Sequence, residues 1–156
     1  TPQNLYDFPC NIFVAGFIGT PQMNFVNATI TKPKGQDDCF LEFENVKFKL
    51  QPEKFEDTNL ADYIGKEVIA GLRPELLHDE PVYMEKFKDT IIEANVEFTE
   101  LMGAEIYLYL NIGEETNLVS RVSSQSTAKA GDVIKIAVDT SRIHIFDKET
   151  EQIICH

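Results

Sequence analysis

Phosphate chemistry in this chain would have to begin at Gly65-Lys66, its one Gly-Lys pair. A phosphate-cradling loop needs a further glycine five residues ahead and a Ser or Thr after the lysine, so that backbone amides surround the phosphates and a hydroxyl holds the metal. Leu60 and Glu67 occupy those places, so ATP hydrolysis is not expected of this chain. Zinc needs three or four converging ligands. His78, His144 and His156 share no ligand spacing with one another or with Cys10, Cys39 and Cys155, and read as isolated surface or strand histidines. Ser141, His144 and Asp147 lie close in sequence. Successive strand residues face opposite ways, however, and no Gly-x-Ser-x-Gly elbow precedes them. Glu93, Glu97 and Glu100 could mimic a catalytic carboxylate pair, but a solvated strand face accounts for Glu93 and Glu97. Catalytic, cofactor-binding and metal-binding residues are therefore all expected to be absent. Arg73-Pro74-Glu75 stands apart: proline fixes φ and removes a donor, setting a rigid pair of opposite charges at a strand end. The pair either pins the strand to a loop or serves a subunit contact, where an Arg fork holds a carboxylate with two hydrogen bonds.

The elements that would position these residues are mostly strands. Val46, Phe48 and Leu50 alternate with lysines; Ile92, Ala94, Val96 and Phe98 alternate with Glu93, Asn95 and Glu97. Ile106, Leu108, Leu110 and Ile112 repeat the pattern, with Tyr107 and Tyr109 on the opposite face. Period two from about Thr29 onward marks half-buried strands, and further strands are predicted at 39–43, 68–73, 118–122, 133–138 and 143–146. About eight short strands separated by Gly and Asp turns read as a barrel or sandwich. One helix is predicted at Asp57 to Ile64, with Asp57 or Thr58 as N-cap and Gly65 as its stop. His78 to Asp89 reads as an inserted loop with at most one helical turn. Ahead of the strands, Pro9 and Gly19 bracket a short apolar helix that must be buried against something, either the chain's own core or an upstream domain.

Composition narrows the function classes. Twenty-six acidic against 14 basic residues give a net charge of −12, which disfavours binding that depends on basic groups tracking phosphates. Hydrophobic residues make up 43% of the 156, so a chain of this length has the material for a sizeable core. No apolar run approaches the roughly 20 residues of a membrane-spanning helix. Three cysteines without a C-x-x-C pair fit a reducing cytosol. Asn27-Ala28-Thr29 matches the glycosylation tripeptide, a pattern short enough to arise by chance.

Leu5 to Phe25, LYDFPCNIFVAGFIGTPQMNF, resembles the junction that follows the nucleotide-binding domain in ATPase subunits of maltose- and multiple-sugar-type ABC importers. Gly71 to Glu75, GLRPE, looks like their G-[IVL]-RPE motif. The run from Val96 through Glu105, together with Arg121-Val122, Gly131-Asp132 and His144 to Asp147, is similar to their transport-associated OB (TOBE) domain. Tyr83 to Thr90 departs from the pattern and receives no role.

The resemblance implies an all-β, OB-like or MOP-like barrel assembly with a short N-terminal helix. Residues 1–25 would form the junction after a nucleotide-binding domain outside this sequence, and residues 26–156 the OB-like regulatory domain. Such a part neither hydrolyses nor transports. It holds two ATPase subunits together while their nucleotide domains open and close, and in some members receives a cytosolic regulatory protein. The resemblance implies a domain junction at Ile12, Phe13, Phe17 and Ile18; a homodimer contact is expected at Arg73, Glu75, His144 and Asp147, because a two-fold contact is self-complementary and these short motifs carry both partners. ATP and Mg would belong to the upstream domain; the other partners would be that domain and the importer's membrane subunits, at the cytoplasmic face of the membrane. Two other readings stand beside it. One is a small-oxyanion-binding barrel; the other is an OB-type oligonucleotide binder stacking bases on Tyr107 and Tyr109, which the lack of a basic groove opposes.

Overall fold

The computed structural model describes residues 2–17, 21–113 and 115–156. Strand is the predominant regular structure among the described residues, which places the fold in the β class. The chain folds as two compact units, one from residues 1–72 and 141–156, the other from residues 73–140.

The first unit is built on a six-stranded antiparallel sheet. Its strands are β1 (Asn24–Thr31), β2 (Phe40–Phe43), β3 (Val46–Lys49), β4 (Glu67–Leu72), β10 (His144–Asp147) and β11 (Ile153–Cys155), in the order β11-β10-β4-β1-β2-β3. The alternation predicted for β3 is present, with Val46 and Phe48 buried between exposed lysines. Strand β1 begins earlier than its pattern suggests. It turns Asn24, Val26, Ala28 and Ile30 inward and leaves Phe25 half-exposed, so a polar residue and a small one on the buried side blur the period. Asn24 is satisfied there by donating to the Leu72 carbonyl at 3.1 Å. Ile153-Ile154-Cys155 lacks alternation altogether, and β11 was not expected. Gly71 sits where β4 runs between β1 and β10. A Cβ there would lie 2.4 Å from the Met23 sulfur and 3.0 Å from the Phe146 ring, so the close approach requires glycine.

The helices depart from expectation in instructive ways. The predicted apolar helix is present as α2 (Ile12–Phe17), preceded by α1 (Pro2–Asp7); Gly19, its predicted stop, lies outside the described residues. The Asn11 side chain caps α2 by accepting the Val14 N–H at 2.9 Å. In place of a helix over 57–64 there is a 3-10 turn at Leu60–Tyr63. Asp57 takes a φ of 54° and cannot open a helix, whereas Gly65, at 84°, ends the segment as anticipated.

The second unit is a five-stranded antiparallel sheet. It contains β5 (Leu77–His78), β6 (Ile91–Met102), β7 (Glu105–Ile112), β8 (Thr116–Ser123) and β9 (Val133–Val138), ordered β5-β9-β6-β7-β8. Two residues are too few to show a period, which hides β5 from sequence reading. The segment read as a loop carries α3 (Pro81–Lys86), longer than the single turn allowed for it, with Pro81 at its first turn. Leu76, Leu77, Leu108, Leu110, Leu118 and Ile136 are the largest fully buried side chains of this unit among the described residues.

Candidate functional site

Asp147 ends β10, and its carboxylate organises the turn into β11. One oxygen accepts the N–H groups of Glu149 and Thr150 at 2.8 and 2.7 Å, and the other accepts the Tyr63 hydroxyl at 2.6 Å. These donors hold its pKa at about 2, the Thr150 amide foremost. Glu151, at φ 62°, completes the reversal. His144 opens the same strand and is buried. Its Nδ1 lies 3.0 Å from Nδ1 of His156, so one ring must be a neutral acceptor. Burial, and then the nearby Lys54 ammonium, lower the pKa of His156.

Lys54 is a functional-looking group that sequence reading passed over. It lies in a polar stretch, yet is 4% exposed. Its Nζ donates to the carbonyls of Ser141, Ile143 and His156 at 3.2, 2.8 and 3.1 Å. A buried ammonium requires such partners, and here they fasten the returning segment to the 3-10 turn at Pro52–Phe55.

Of the junction residues, Ile12 packs on a cluster of Ala15, Met23 and Phe146 within the first unit, and its N–H donates to the Glu151 carbonyl at 3.1 Å. Phe13 points away and is 78% exposed. The backbone of Phe17 closes α2, and Ile18 lies outside the described residues.

In the second unit Arg73 is buried, 2% exposed, and so is no outward fork. Glu75 pairs with Arg121 of β8 at 3.4 Å, and the same guanidinium meets Glu105 at 3.3 Å. The Arg-Pro-Glu step thus places Glu75 within reach of β8, and Ser120 on that strand donates to the Leu77 carbonyl at 2.6 Å. Tyr107 is buried, so the pair of tyrosines offers no double stacking platform. Tyr109 is already stacked on Phe98, centroids 4.2 Å apart. Both rings belong to a distal β6-β7 arm that leaves Leu101 70% and Met102 43% exposed.

Among the described residues no three His, Cys, Asp or Glu side chains are grouped to hold a metal, and no helix is long and apolar enough to cross a membrane. The acidic residues Glu93 and Glu97 are exposed on β6, as expected of a solvated face, and Glu100 is exposed as well.

Comparison with known proteins adds the following. Residues 19–77 match the model of the MalK OB fold domain, and residues 70–146 that of the TOBE domain. The chain is 36% identical over 151 residues to the oligosaccharides import ATP-binding protein MsmX of Bacillus subtilis, covering 97% of this chain and 40% of that protein. It is 38% identical to the trehalose/maltose import ATP-binding protein MalK of Thermococcus litoralis, with 99% and 40% covered. With the multiple sugar-binding transport ATP-binding protein MsmK of Streptococcus mutans it shares 32% identity, over 99% of this chain and 39% of that one. The chain thus spans about two fifths of the length of these relatives. Among solved structures, the cytoplasmic molybdate-binding protein ModG superposes with a TM-score of 0.60 at 16% identity, over 78% of this chain and 94% of ModG; that likeness concerns the fold.

Proposed function

This chain belongs to the family of sugar-importer ATP-binding proteins, whose C-terminal OB and TOBE part it matches, and from that premise we propose that it is the non-catalytic regulatory and dimerisation module of such a subunit. The observation that carries the reading is the succession of the two domain types along one chain that aligns almost end to end with part of each relative. In this role ATP and Mg are handled by another domain of the subunit, and the chain works at the cytoplasmic face beside the importer's membrane subunits, with a second copy of itself as partner. Holding two subunits together raises the effective concentration of one nucleotide-binding domain near the other, so reclosure after each opening is fast. Gly65-Lys66 supports the catalytic silence. Gly65 is a turn glycine just before β4, with open space around it, and no Ser or Thr follows Lys66.

The four residues named for the two-fold contact divide by exposure. Glu75 and Asp147 are partly exposed and can reach a partner, while buried Arg73 and His144 act by fixing the strand ends from which their neighbours project. Phe13 is the junction side chain with surface to offer an upstream domain.

The test is a chimera in which this chain replaces the corresponding part of a related sugar-import ATP-binding subunit. Sugar-dependent growth and ATPase activity comparable to the parent subunit's support the proposal. A folded chimera that hydrolyses ATP but no longer dimerises or sustains uptake refutes it. The purified chain alone should bind no ATP; saturable hydrolysis abolished by Lys66→Ala would overturn the silent role. The oxyanion reading has less support, because Lys66 and Lys148 line a cleft that also holds Asp62, Glu67, Asp147 and Glu149, and Lys148 is already paired with Glu67.

A further inference from the structure

Strand β6 is twelve residues long, but β9 covers its outer edge only from Ile91 to Asn95. Val96 closes that seam by donating to the Asp132 carbonyl and accepting from the Gly131 N–H, each at 2.8 Å. Its pairing with β7 shifts register between Val96 and Phe98, so a bulge marks the place where cover ends. From Glu97 to Met102, β7 is its sole strand partner among the described residues. The outer backbone edge is therefore open, and open edges template pairing with another strand. Three of the six side chains there are apolar yet exposed: Phe98 is 50%, Leu101 70% and Met102 43% exposed. The edge is also stiff, since Phe98 stacks on Tyr109 and the Tyr109 hydroxyl donates to Glu100 at 3.1 Å.

We propose that this edge pairs with the same edge of a second copy, β6 against β6, antiparallel about a two-fold axis through Thr99. The inference rests on the dimerising role proposed above and assigns it a surface that no residue named there occupies. A two-fold axis normal to a sheet turns a strand into its own antiparallel partner, so one edge supplies both halves of the contact. Directly opposed residues must share a face, which requires the axis to pass through a residue. Four registers pair three residues or more. Through Phe98, the edge is limited to Glu97–Thr99, because Val96 is already occupied by Gly131 and Asp132; through Leu101, it is limited to Glu100–Met102, where the strand ends. Through Glu100, two carboxylates stand directly opposite each other, which destabilises a pair. Through Thr99, five residues pair, threonine faces threonine, Phe98 meets Glu100 of the second copy, and no carboxylate opposes another. A five-residue edge falls below the roughly 800 Å² per partner of a standard interface. The contact is accordingly weak alone and effective where the rest of a subunit keeps two copies close. With a net charge of −12 on each copy, added salt strengthens it.

Two measurements on this chain decide the matter. In sedimentation equilibrium the parent should self-associate, and Leu101→Glu and Phe98→Glu, which set a carboxylate directly opposite Glu97 or Glu100 of the second copy, should each weaken that association by about tenfold or more, a loss of about 1.4 kcal/mol. In a Cys10→Ser background, Thr99→Cys should form a disulfide-linked dimer under mild oxidation, while Val133→Cys, exposed on β9, should not. The second measurement holds even if a glutamate variant unfolds. Dimerisation unchanged by Leu101→Glu, with no Thr99→Cys link, overturns the edge assignment and leaves dimerisation standing. A parent that stays monomeric at every concentration and salt, with no link, overturns both. If the monomer instead binds a basic strand-forming peptide at this edge, the occupant is a different chain and the two-fold pairing is wrong.

Discussion

Replacing Lys54 by Met keeps an unbranched chain, one atom shorter, and removes its charge, leaving three carbonyls without their donor. The Ile143 carbonyl is buried, and its bond is the shortest at 2.8 Å; those to Ser141 and His156 are partly buried at 3.2 and 3.1 Å. Water can take over the latter two, whereas the Ile143 carbonyl is left bare at a cost of about 1–3 kcal/mol. Charge-assisted bonds to the other two add about 1–2 kcal/mol after water replaces them. Relief of the ammonium's own desolvation offsets part of this. The expected loss is about 2–4 kcal/mol, read as a lower urea midpoint by far-ultraviolet circular dichroism. The same variant should unfasten β11, where burial raises the Cys155 thiol to about 11. Lys54 lowers that value, so its removal makes the thiol intrinsically less acidic. Faster labelling of Cys155 in Lys54→Met would therefore report opening of the segment and nothing else. A variant within about 0.5 kcal/mol of the parent, the range of an ordinary surface change, with Cys155 labelled no faster, would refute the clamp.

Gly71→Ala should destabilise the first unit by about 1–3 kcal/mol, because its methyl meets the Met23 sulfur and the Phe146 ring; the combination with Met23→Ala should recover part of the loss in the same urea assay, and no recovery would put the strain elsewhere. Asp147 has a depressed pKa of about 2, so its contribution is present above the ordinary carboxylate range near 4 and lost as pH falls toward 2. Asp147→Asn should be less stable than the parent at pH 6 and converge with it near pH 2. His156, whose pKa is lowered by burial, contributes stability that is full above about pH 6.5 and declines as pH falls below it; a His156→Gln chain should show a flatter stability profile between pH 7 and 5. With Ellman's reagent at pH 8, Cys10 should react at once while buried Cys39 and Cys155 stay protected, and three equal rates would contradict the burial described.

What the sequence made legible was wherever one periodicity governed one destination. Strands β3 and, apart from Tyr107, β7 were readable because each buries one apolar face, and β9 because it is an apolar run, buried on both faces at Ile136, Ala137 and Val138. Strand β1 was only half readable, since Asn24 and Ala28 lie on its buried side while Phe25 does not. The open arm of β6 was hidden for a related reason: alternation continues through Val96, then Phe98 and Leu101 fall on opposite sides of a strand that no longer has a covered face. Arg73-Pro74-Glu75 was recognised as a strand-end device, but the partner that receives Glu75, Arg121, arrives through tertiary folding, with no local pattern to announce it. Lys54 gave no signal at all, because lysine in a polar stretch is ordinarily solvated and its three acceptors come from the far end of the chain.

The first sheet is assembled from both ends of the sequence, and synthesis on the ribosome runs into that fact. Strand β4 receives β1 as soon as it emerges, but its other edge waits for β10, which is made roughly 70 residues later; at about 5–20 residues per second that edge stands open for several seconds. Glu67-Val-Ile-Ala-Gly-Leu72 is an apolar strand of the kind that captures neighbouring nascent chains when bare. The contiguous stretch 73–140 can meanwhile complete its own sheet, bringing the two ends of the intervening loop closer and shortening the search that β10 must make. Nascent chains arrested before residue 144 should consequently recruit chaperones more strongly than those released after it.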